Sequence, residues 1–259
     1  MIPAPYPAYE ATLVTLFGLI IGSFMNVCIY RIPRHLSPAR PRSSCTTCGH
    51  MLAWYENIPI GSYLVLRGRC RGCGAPISLM YPVIEAITGL MFLGAYLLYG
   101  LSPLLVARLL FGCAMIVLFV IDLQHKILPN VITLPGIVAG LLLSEVAGPG
   151  WKDSLLGIVA GGGMLWAIAE IYYRVRKEEG LGMGDVKMLA MIGAFLGWKL
   201  MLLTLVLASF SGTIVGIGVL IAKKESLKYA LPFGTFLAVG AIAAAAVGDR
   251  FVAWYFGLY

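Results

Sequence analysis

Apolar runs recur along this chain at close to the length that crosses a bilayer, and that leaves few folds open. They fall at about residues 11–29, 81–99, 102–121, 131–147, 154–173, 185–197, 198–222 and 229–251, and a spanning helix needs roughly 20 residues. In hydrocarbon each backbone N–H and C=O has to be satisfied within its own segment, so these runs read as helices. The expectation is an all-α polytopic membrane protein with about eight transmembrane helices. The sixth run, near thirteen residues before Trp198-Lys199, has a length that more often means a buried helix or re-entrant piece than a full crossing. Only 12% of the residues are charged against 60% hydrophobic, too little charge to clothe a soluble surface. The first run follows Met1-Ile2-Pro3-Ala4-Pro5 without a basic start or a small-residue cleavage site, so it reads as a retained helix rather than a removed signal peptide.

One stretch breaks the apolar pattern. From residue 31 to about 80 the chain turns to Arg, Pro, Ser, Cys and Gly, which divides it into a first transmembrane helix (1–30), an extramembrane insert (31–80) and a membrane-embedded bundle (81–259). The insert carries Arg31, Arg34, Arg40, Arg42, Arg67, Arg69 and Arg71, and basic loops mark the cytoplasmic side. Eight crossings then also put Lys126, Arg174, Arg176, Lys177, Lys223, Lys224 and Lys228 inside, leaving Lys152, Lys199 and Arg250 on the other face. The net charge of +7 therefore reads as orientation and contact with anionic headgroups, with no nucleic acid as partner.

Four of the six cysteines lie in that insert as Cys45-Thr-Thr-Cys48-Gly49 and Cys70-Arg-Gly-Cys73-Gly74. Two such pairs are the spacing of a structural zinc site, in which four thiolates close a tetrahedral shell and leave no open position for catalysis. The expectation is a cytoplasmic zinc-binding insert ligated by Cys45, Cys48, Cys70 and Cys73. Disulfides are the competing reading, disfavoured by a reducing compartment, and an iron site is a further one. Cys28 and Cys113 fall inside apolar runs and read as small core residues. Trp54, Tyr55, Glu56, Asn57, Ile58 and Pro59, between the pairs, read as that small domain's core, as a cover for the metal or as an interfacial patch.

The acids are few. Asp153 and Asp249 fall near the outer face and read as solvated loop residues, while Glu85 and Glu170 lie in or near apolar runs, where an acid usually has a partner or a task. Asp122, in Ile121-Asp122-Leu123-Gln124-His125-Lys126, ends the third run, and Asp185, in Gly182-Met183-Gly184-Asp185-Val186-Lys187, begins the sixth. With eight crossings both emerge at the cytoplasmic boundary. Neighbouring carboxylates tend to share one proton, so that one activates water while the other polarises a carbonyl. The bland alternative is local: Asp185 as an N-cap and Asp122 paired with Lys126. If the pair acts, the helix dipoles assign it, with Asp122 at a C-terminus as the proton carrier and Asp185 at an N-terminus as the base. A transporter would place its coupling acids nearer the midplane, and a zinc-bearing scaffold would need neither.

Several unrelated motifs together resemble one family. They are Gly-Ser-Phe-Met-Asn-Val-Cys-Ile-Tyr-Arg-Ile-Pro (22–33), the two cysteine pairs, Arg-Gly-Arg-Cys-Arg (67–71), Tyr-Pro-Val-Ile-Glu (81–85), Ile-Leu-Pro-Asn-Val-Ile-Thr (127–133) after Asp122, and Gly-Met-Gly-Asp-Val-Lys (182–187). Their order from about Gly22 to Gly197 is similar to that of type IV prepilin peptidases, although the position of Asn130 is often Asp in that family. The resemblance implies a bacterial inner-membrane aspartic endopeptidase, with Asp122 and Asp185 as its catalytic pair, that removes the basic leader of prepilins and pseudopilins. It also implies N-methylation of the new N-terminal residue, commonly phenylalanine, from S-adenosylmethionine. Peptidase activity alone, with the zinc insert serving folding or docking, is the alternative. No glycine-rich fingerprint of a nucleotide fold is present, so no donor-binding residue follows from the sequence, and neither does the oligomeric state. A basic leader meeting a basic face would need local acids such as Glu56, Glu178 and Glu179, or anionic lipid, to receive it.

Overall fold

The computed structural model describes residues 7–178, 180–223, 232–255 and 257. Residues 1–5, Glu179, Lys224 and Lys228, which carried expectations above, lie outside the described residues. The described chain is helical, apart from loops and two isolated antiparallel bridges, Ser44–Met51 and Arg69–Pro76. Its helices are α1 (Ala8–Arg31), α2 (Gly61–Val65), α3 (Met80–Tyr99), α4 (Pro103–His125), α5 (Asn130–Ala147), α6 (Trp151–Arg176), α7 (Met183–Lys223) and α8 (Phe233–Tyr255). Six of these are long and apolar enough to cross a membrane, and α5 is a shorter apolar helix. Large side chains such as Leu13, Phe17, Ile20, Leu142, Val159 and Ile221 point outward, as they do where lipid replaces water around a bundle.

The chain forms two compact units, Met1–Leu105 and Val106–Tyr259. In the first, α1 and α3 run antiparallel through a glycine seam: Gly18 faces Phe92 and Gly89, and a Cβ added at Gly22 would lie 2.8 Å from the Glu85 Cα. That seam groups α3 with α1 and the cysteine insert, whereas composition alone had grouped residues 81–259 together.

The second unit is built around the first leg of α7. Val186 and every residue from Met188 to Gly197 are buried, so this stretch has neighbours on all sides. α6 lies against it antiparallel, Gly157 facing Gly193 and Gly161 facing Leu189; α5 lies against it parallel, Gly136 facing Met191 and Gly140 facing Ala194. The Gly-Ile-Val-Ala-Gly sequences of α5 and α6 thus serve one purpose, letting two helices close on the same third one.

As a single rod the 41 residues of α7 would be about 60 Å long, twice the apolar thickness of a bilayer. They are not a single rod, because Gly197 takes φ 75° and ψ 172°, a conformation glycine adopts without steric cost. The second leg runs antiparallel to α8, with Leu200 near Gly248, Thr204 near Gly240 and Gly212 near Phe236. Since α8 begins beside the start of α7, this leg returns toward the end from which the first leg departed. The sixth and seventh expected segments are therefore two legs of a helical hairpin without a polar loop, and with them the apolar segments number eight. Gly197 itself sits against Pro149 and Asp153, where α6 starts, so the short sixth segment spans the depth of this unit.

Charges sort onto the two ends of the unit. Lys126 follows the end of α4, Arg174 and Arg176 lie in the last turn of α6 and Lys177 caps it, at the end where Asp122 and Asp185 lie; Lys152, Lys199 and Arg250 lie toward the other.

The α6–α7 seam gives a direct test. A Cβ at Gly193 would meet the Gly157 carbonyl at 2.2 Å, while one at Gly163 on the same α6 meets nothing within 4 Å. Gly193→Ala is expected to destabilise the protein by about 1–3 kcal/mol or more, as overpacking does, and Gly163→Ala to be neutral or slightly stabilising. Thermal unfolding in detergent followed by circular dichroism checks the contrast.

Candidate active site and metal centre

The last turn of α4 carries Asp122 inward, where it is only 4% exposed. Just beyond it, the amide of Lys126 closes the helix on the Asp122 carbonyl at 2.8 Å, with Lys126 at φ 55°. This left-handed C-cap turns the chain back on itself and brings Leu128 under the ends of two other helices. A Cβ at Gly184, at the start of α7, would lie 2.9 Å from Leu128 Cβ, and one at Gly234, in the first turn of α8, 2.8 Å from Leu128 Cδ1 and 3.0 Å from Asp122 Oδ2. Glycine is needed at both places for that approach.

Three helix ends thus converge on one spot. Asp122 Oδ2 accepts two bonds from Thr235, one from its backbone N–H at 2.7 Å and one from its hydroxyl at 3.0 Å. The N–H belongs to the first turn of α8, where amides have no partner within the helix. Asp185 is half-buried, its amide donates to the Gly182 carbonyl at 3.0 Å, and its carboxylate lies within electrostatic reach of Asp122. The two acids predicted from sequence are therefore brought together, one held by two donors of Thr235 and the other at a glycine-bordered edge. The dipole assignment, however, loses its asymmetry. It counted only the C-terminus of α4, whereas the N-terminus of α8 also faces Asp122, so both acids see the positive end of a helix. Lys187, next to the pair in sequence, donates instead to Asn130 Oδ1 at 2.9 Å and ties the start of α7 to that of α5.

Thr235, Gly234 and Leu128 were not singled out by sequence reasoning. A signal existed for the first two, since Pro232-Phe233-Gly234-Thr235 opens an apolar helix with a small residue and a hydroxyl in its first turn. Leu128 had none, being one leucine among many.

The four insert cysteines form two matching turns. In one, the Cys45 amide donates to the His50 carbonyl and the Gly49 amide to the Cys45 carbonyl, both at 2.9 Å; in the other, Cys70 and Ala75, then Gly74 and Cys70, do the same at 2.8 Å. Gly49 and Gly74 both take φ 73°. All four Sγ atoms lie within 4.8 Å of one another, with Cys45–Cys73 and Cys48–Cys70 at 4.0 Å. That is about twice a disulfide bond but close to the roughly 3.8 Å edge of a tetrahedron drawn with zinc–sulfur bonds of ~2.3 Å. The backbone N–H groups of Cys48 and Thr47, directed at the Cys45 sulfur, bring its thiol down to about 6, while at Cys48 the lowering by the His50 N–H is outweighed by the Cys73 sulfur together with desolvation and the other two sulfurs, which push that thiol up to about 11. Crowded thiols of this kind ionise one at a time until a metal ion binds them as thiolates. The donor set and spacing fit zinc.

The remaining acids separate. Glu170 makes a local ion pair with Arg174 at 2.7 Å on an exposed helix face, and Asp153 sits in the first turn of α6. Glu85 is buried in the first unit and accepts the Ile60 N–H at 2.7 Å. Glu56 is also turned inward, accepting the Ala53 N–H at 2.8 Å, which holds its carboxyl below the usual range and removes it from any surface that receives a leader. Trp54 is 76% exposed and so is not the core of the insert; Tyr55 pairs with Arg71 through its hydroxyl at 2.8 Å.

Comparison with known proteins places both units. A family model described as the bacterial peptidase A24 N-terminal domain matches residues 16–99, and one described as the type IV leader peptidase family matches 109–217. A protein of Myxococcus xanthus (strain DK1622) named prepilin leader peptidase/N-methyltransferase is 43% identical over 225 residues, covering 85% of this chain and 67% of the relative. Proteins of the same name from Pseudomonas putida and Aeromonas hydrophila are each 36% identical, covering 95% and 94% of this chain and 94% and 93% of their own lengths. No solved structure matches. With both units matched in order and relatives aligned almost end to end, this chain is a member of the type IV leader peptidase family, in the branch of the prepilin leader peptidase/N-methyltransferases.

Proposed function

We propose that this chain is a bifunctional enzyme of the bacterial inner membrane: it cleaves the basic leader from type IV prepilins and pseudopilins and N-methylates the residue so exposed. The observation that carries the first activity is the meeting of Asp122 and Asp185 at one end of the α4–α8 unit. We assign these as the catalytic pair, and the charge at that end, with Lys126, Arg174, Arg176 and Lys177, supports a cytoplasmic placement. The zinc insert is assigned to the same side.

In the reaction, one carboxylate takes a proton from water as the water oxygen bonds to the scissile carbonyl carbon. The other, carrying a proton, hydrogen-bonds the carbonyl oxygen as charge develops there. Collapse of the tetrahedral species breaks the C–N bond, and the leaving amine takes a proton from the acid pair. Thr235 fixes Asp122 by two donors, so it is a positioning residue. The glycines flanking Asp185 leave room for an extended substrate chain beside the acid. The methyl group comes from S-adenosylmethionine, which supplies an electrophilic carbon on sulfur. Zinc bound by Cys45, Cys48, Cys70 and Cys73 has a folding role, since four thiolates leave no position for substrate.

Purified protein incubated with a prepilin in detergent tests this reading. Asp122→Asn and Asp185→Asn are each expected to lower kcat/KM for cleavage by about 10³-fold or more, and persistent cleavage by both variants would reject the acid pair. Thr235→Val, which removes one of the two bonds to Asp122, is expected to cost about 10-fold or more in kcat with little change in KM, and Thr235→Ser to recover most of it. For the insert, elemental analysis is expected to find one zinc per chain. Its removal by a strong chelator should lower the melting temperature, and zinc but not magnesium should restore it.

A further inference from the structure

The first unit holds a cavity of about 740 Å³ between the α1–α3 seam and the cysteine insert. Nothing in the cleavage chemistry uses it. It is large enough for two small ligands or one drug-sized molecule with room beside it, and its walls include Tyr30, Tyr63 and Tyr81. What sets it apart is the polarity of its unmet hydrogen bonds.

At the seam, Asn26 is 2% exposed and donates through Nδ2 to the Tyr81 carbonyl at 3.0 Å. Turning the amide over would put its oxygen against that carbonyl, so Oδ1 is the free end, and it has no partner. Glu85 lies one helical turn beyond Tyr81, on the same face of α3, and is 7% exposed. Its Oε2 takes the Ile60 N–H at 2.7 Å, and the Ser23 hydroxyl also bonds the carboxylate. Across the cavity, in the insert, Glu56 is 8% exposed and its Oε1 is buried without a partner. All three lining groups present acceptors. The other Glu56 oxygen, Oε2, is met by His50 Nε2 at 3.3 Å as well as by the Ala53 N–H, while Arg31, which also lines the cavity, directs its guanidinium at the carbonyls of Ser37, Pro38 and Arg42, at 3.0, 3.4 and 3.3 Å. A buried acceptor left unpaired costs stability, and here two, Asn26 Oδ1 and Glu56 Oε1, line one cavity together with the Glu85 carboxylate. The missing partner is a ligand that brings N–H donors and positive charge.

We infer that this cavity is the methyl-transfer chamber, with Asn26 and Glu85 receiving the primary α-amine of the cleaved substrate and Glu56 receiving the sulfonium donor. The inference rests on the methyl-transfer reading above and adds its location. The two poles assign themselves by solubility. Asn26 and Glu85 sit on the membrane-length helices α1 and α3, where an apolar, membrane-anchored chain presents its end; Glu56 belongs to the water-facing insert, where a soluble donor enters. The chemistry balances. The ammonium gives one proton to the carboxylate of Glu85 and thence to water; the freed nitrogen lone pair forms the N–C bond as the S–C bond breaks; the donor leaves as a neutral thioether.

The test uses the full chain in detergent, a leaderless pilin peptide beginning with phenylalanine, and radiolabelled S-adenosylmethionine. Donor Kd is read by equilibrium dialysis without peptide, and KM and kcat for the peptide amine are read from methyl incorporation. Glu85→Gln keeps an acceptor for Ile60, and Glu56→Gln keeps one for Ala53, so both are close to isosteric; zinc content and melting temperature report folding. Glu85→Gln is expected to raise the amine KM at least 10-fold with donor Kd within twofold. Glu56→Gln is expected to weaken donor Kd at least 10-fold with amine KM within twofold. Asn26→Ala, which removes the free Oδ1 acceptor, is expected to raise the amine KM with donor Kd within twofold. Folded variants that all bind donor and amine as the wild type does, or that show the two effects exchanged, would overturn the placement while leaving methyl transfer itself intact. A wild-type chain that cleaves prepilin but neither binds the donor nor methylates the peptide would overturn both.

Discussion

A helix with no exposed face imposes conditions on everything around it, and the first leg of α7 is such a helix. From Met188 to Gly197 it meets protein on every side, so its neighbours can close on it only where side chains are absent. The contact of Gly157 with Gly193 is made backbone against backbone. It fixes the rotation and depth of α6 against α7, as Gly136 and Gly140 do for α5. Because no polar side chain can be buried in this stretch without a partner, the leg's chemistry is displaced to its ends. One end is the Gly197 reversal and the other is Asp185. The acid therefore emerges from a closely packed part of the unit at a defined depth, which a loop could not provide.

The second acid is held in a different way. Asp122 also ends a helix, but its oxygen is fixed from outside by Thr235, 113 residues away in sequence. The left-handed cap at Lys126 then folds Leu128 beneath Gly184 and Gly234, so one aliphatic side chain braces the starts of α7 and α8 against the end of α4. Asp122 has donors on one oxygen and a hydrophobic floor below. An acid pair needs this combination, with one group constrained in orientation and the other left at an edge where glycine lets a chain approach.

How much of this could be read beforehand follows from which interactions are local. Helices in lipid satisfy their own backbone, so the eight apolar segments and both acids at segment ends were legible from hydropathy and charge. The two cysteine turns were equally so, because each is closed by hydrogen bonds within six residues, Cys45 to His50 and Cys70 to Ala75. The reversal at Gly197 was ambiguous for a physical reason. A turn buried within protein needs no polar loop, and without one a hairpin of two legs has the same hydropathy profile as one over-long helix. Thr235 was illegible because its partner is distant, and the dipole assignment failed with it. A helix end's electrostatics depend on every terminus facing it, and α8 could be placed there only by the packing of Gly240 and Gly248 on α7. The seam of α1 with α3 was hidden likewise: Gly18 and Gly22 announced close packing, but not against which helix.

The charge paradox of a basic protein acting on a basic leader also changes form once burial is known. Glu56 and Glu85, two of the few acids in the first unit, are not on its surface but in its cavity, while Arg31, Arg34, Arg42 and Arg71 are engaged with carbonyls and rings in and beside the insert. Arg31 serves the carbonyls of Ser37, Pro38 and Arg42, Arg34 lies 4.1 Å over the Tyr30 ring, and Arg71 bonds Tyr55. Guanidinium groups tied to loop carbonyls hold a small, strand-poor domain together where a hydrophobic core is too small to do so. Part of the insert's basic character is thus architectural, while Arg40, Arg67 and Arg69 stand exposed. Its negative groups are kept inward, where low dielectric makes each worth more to an incoming cation than any surface acid screened by salt.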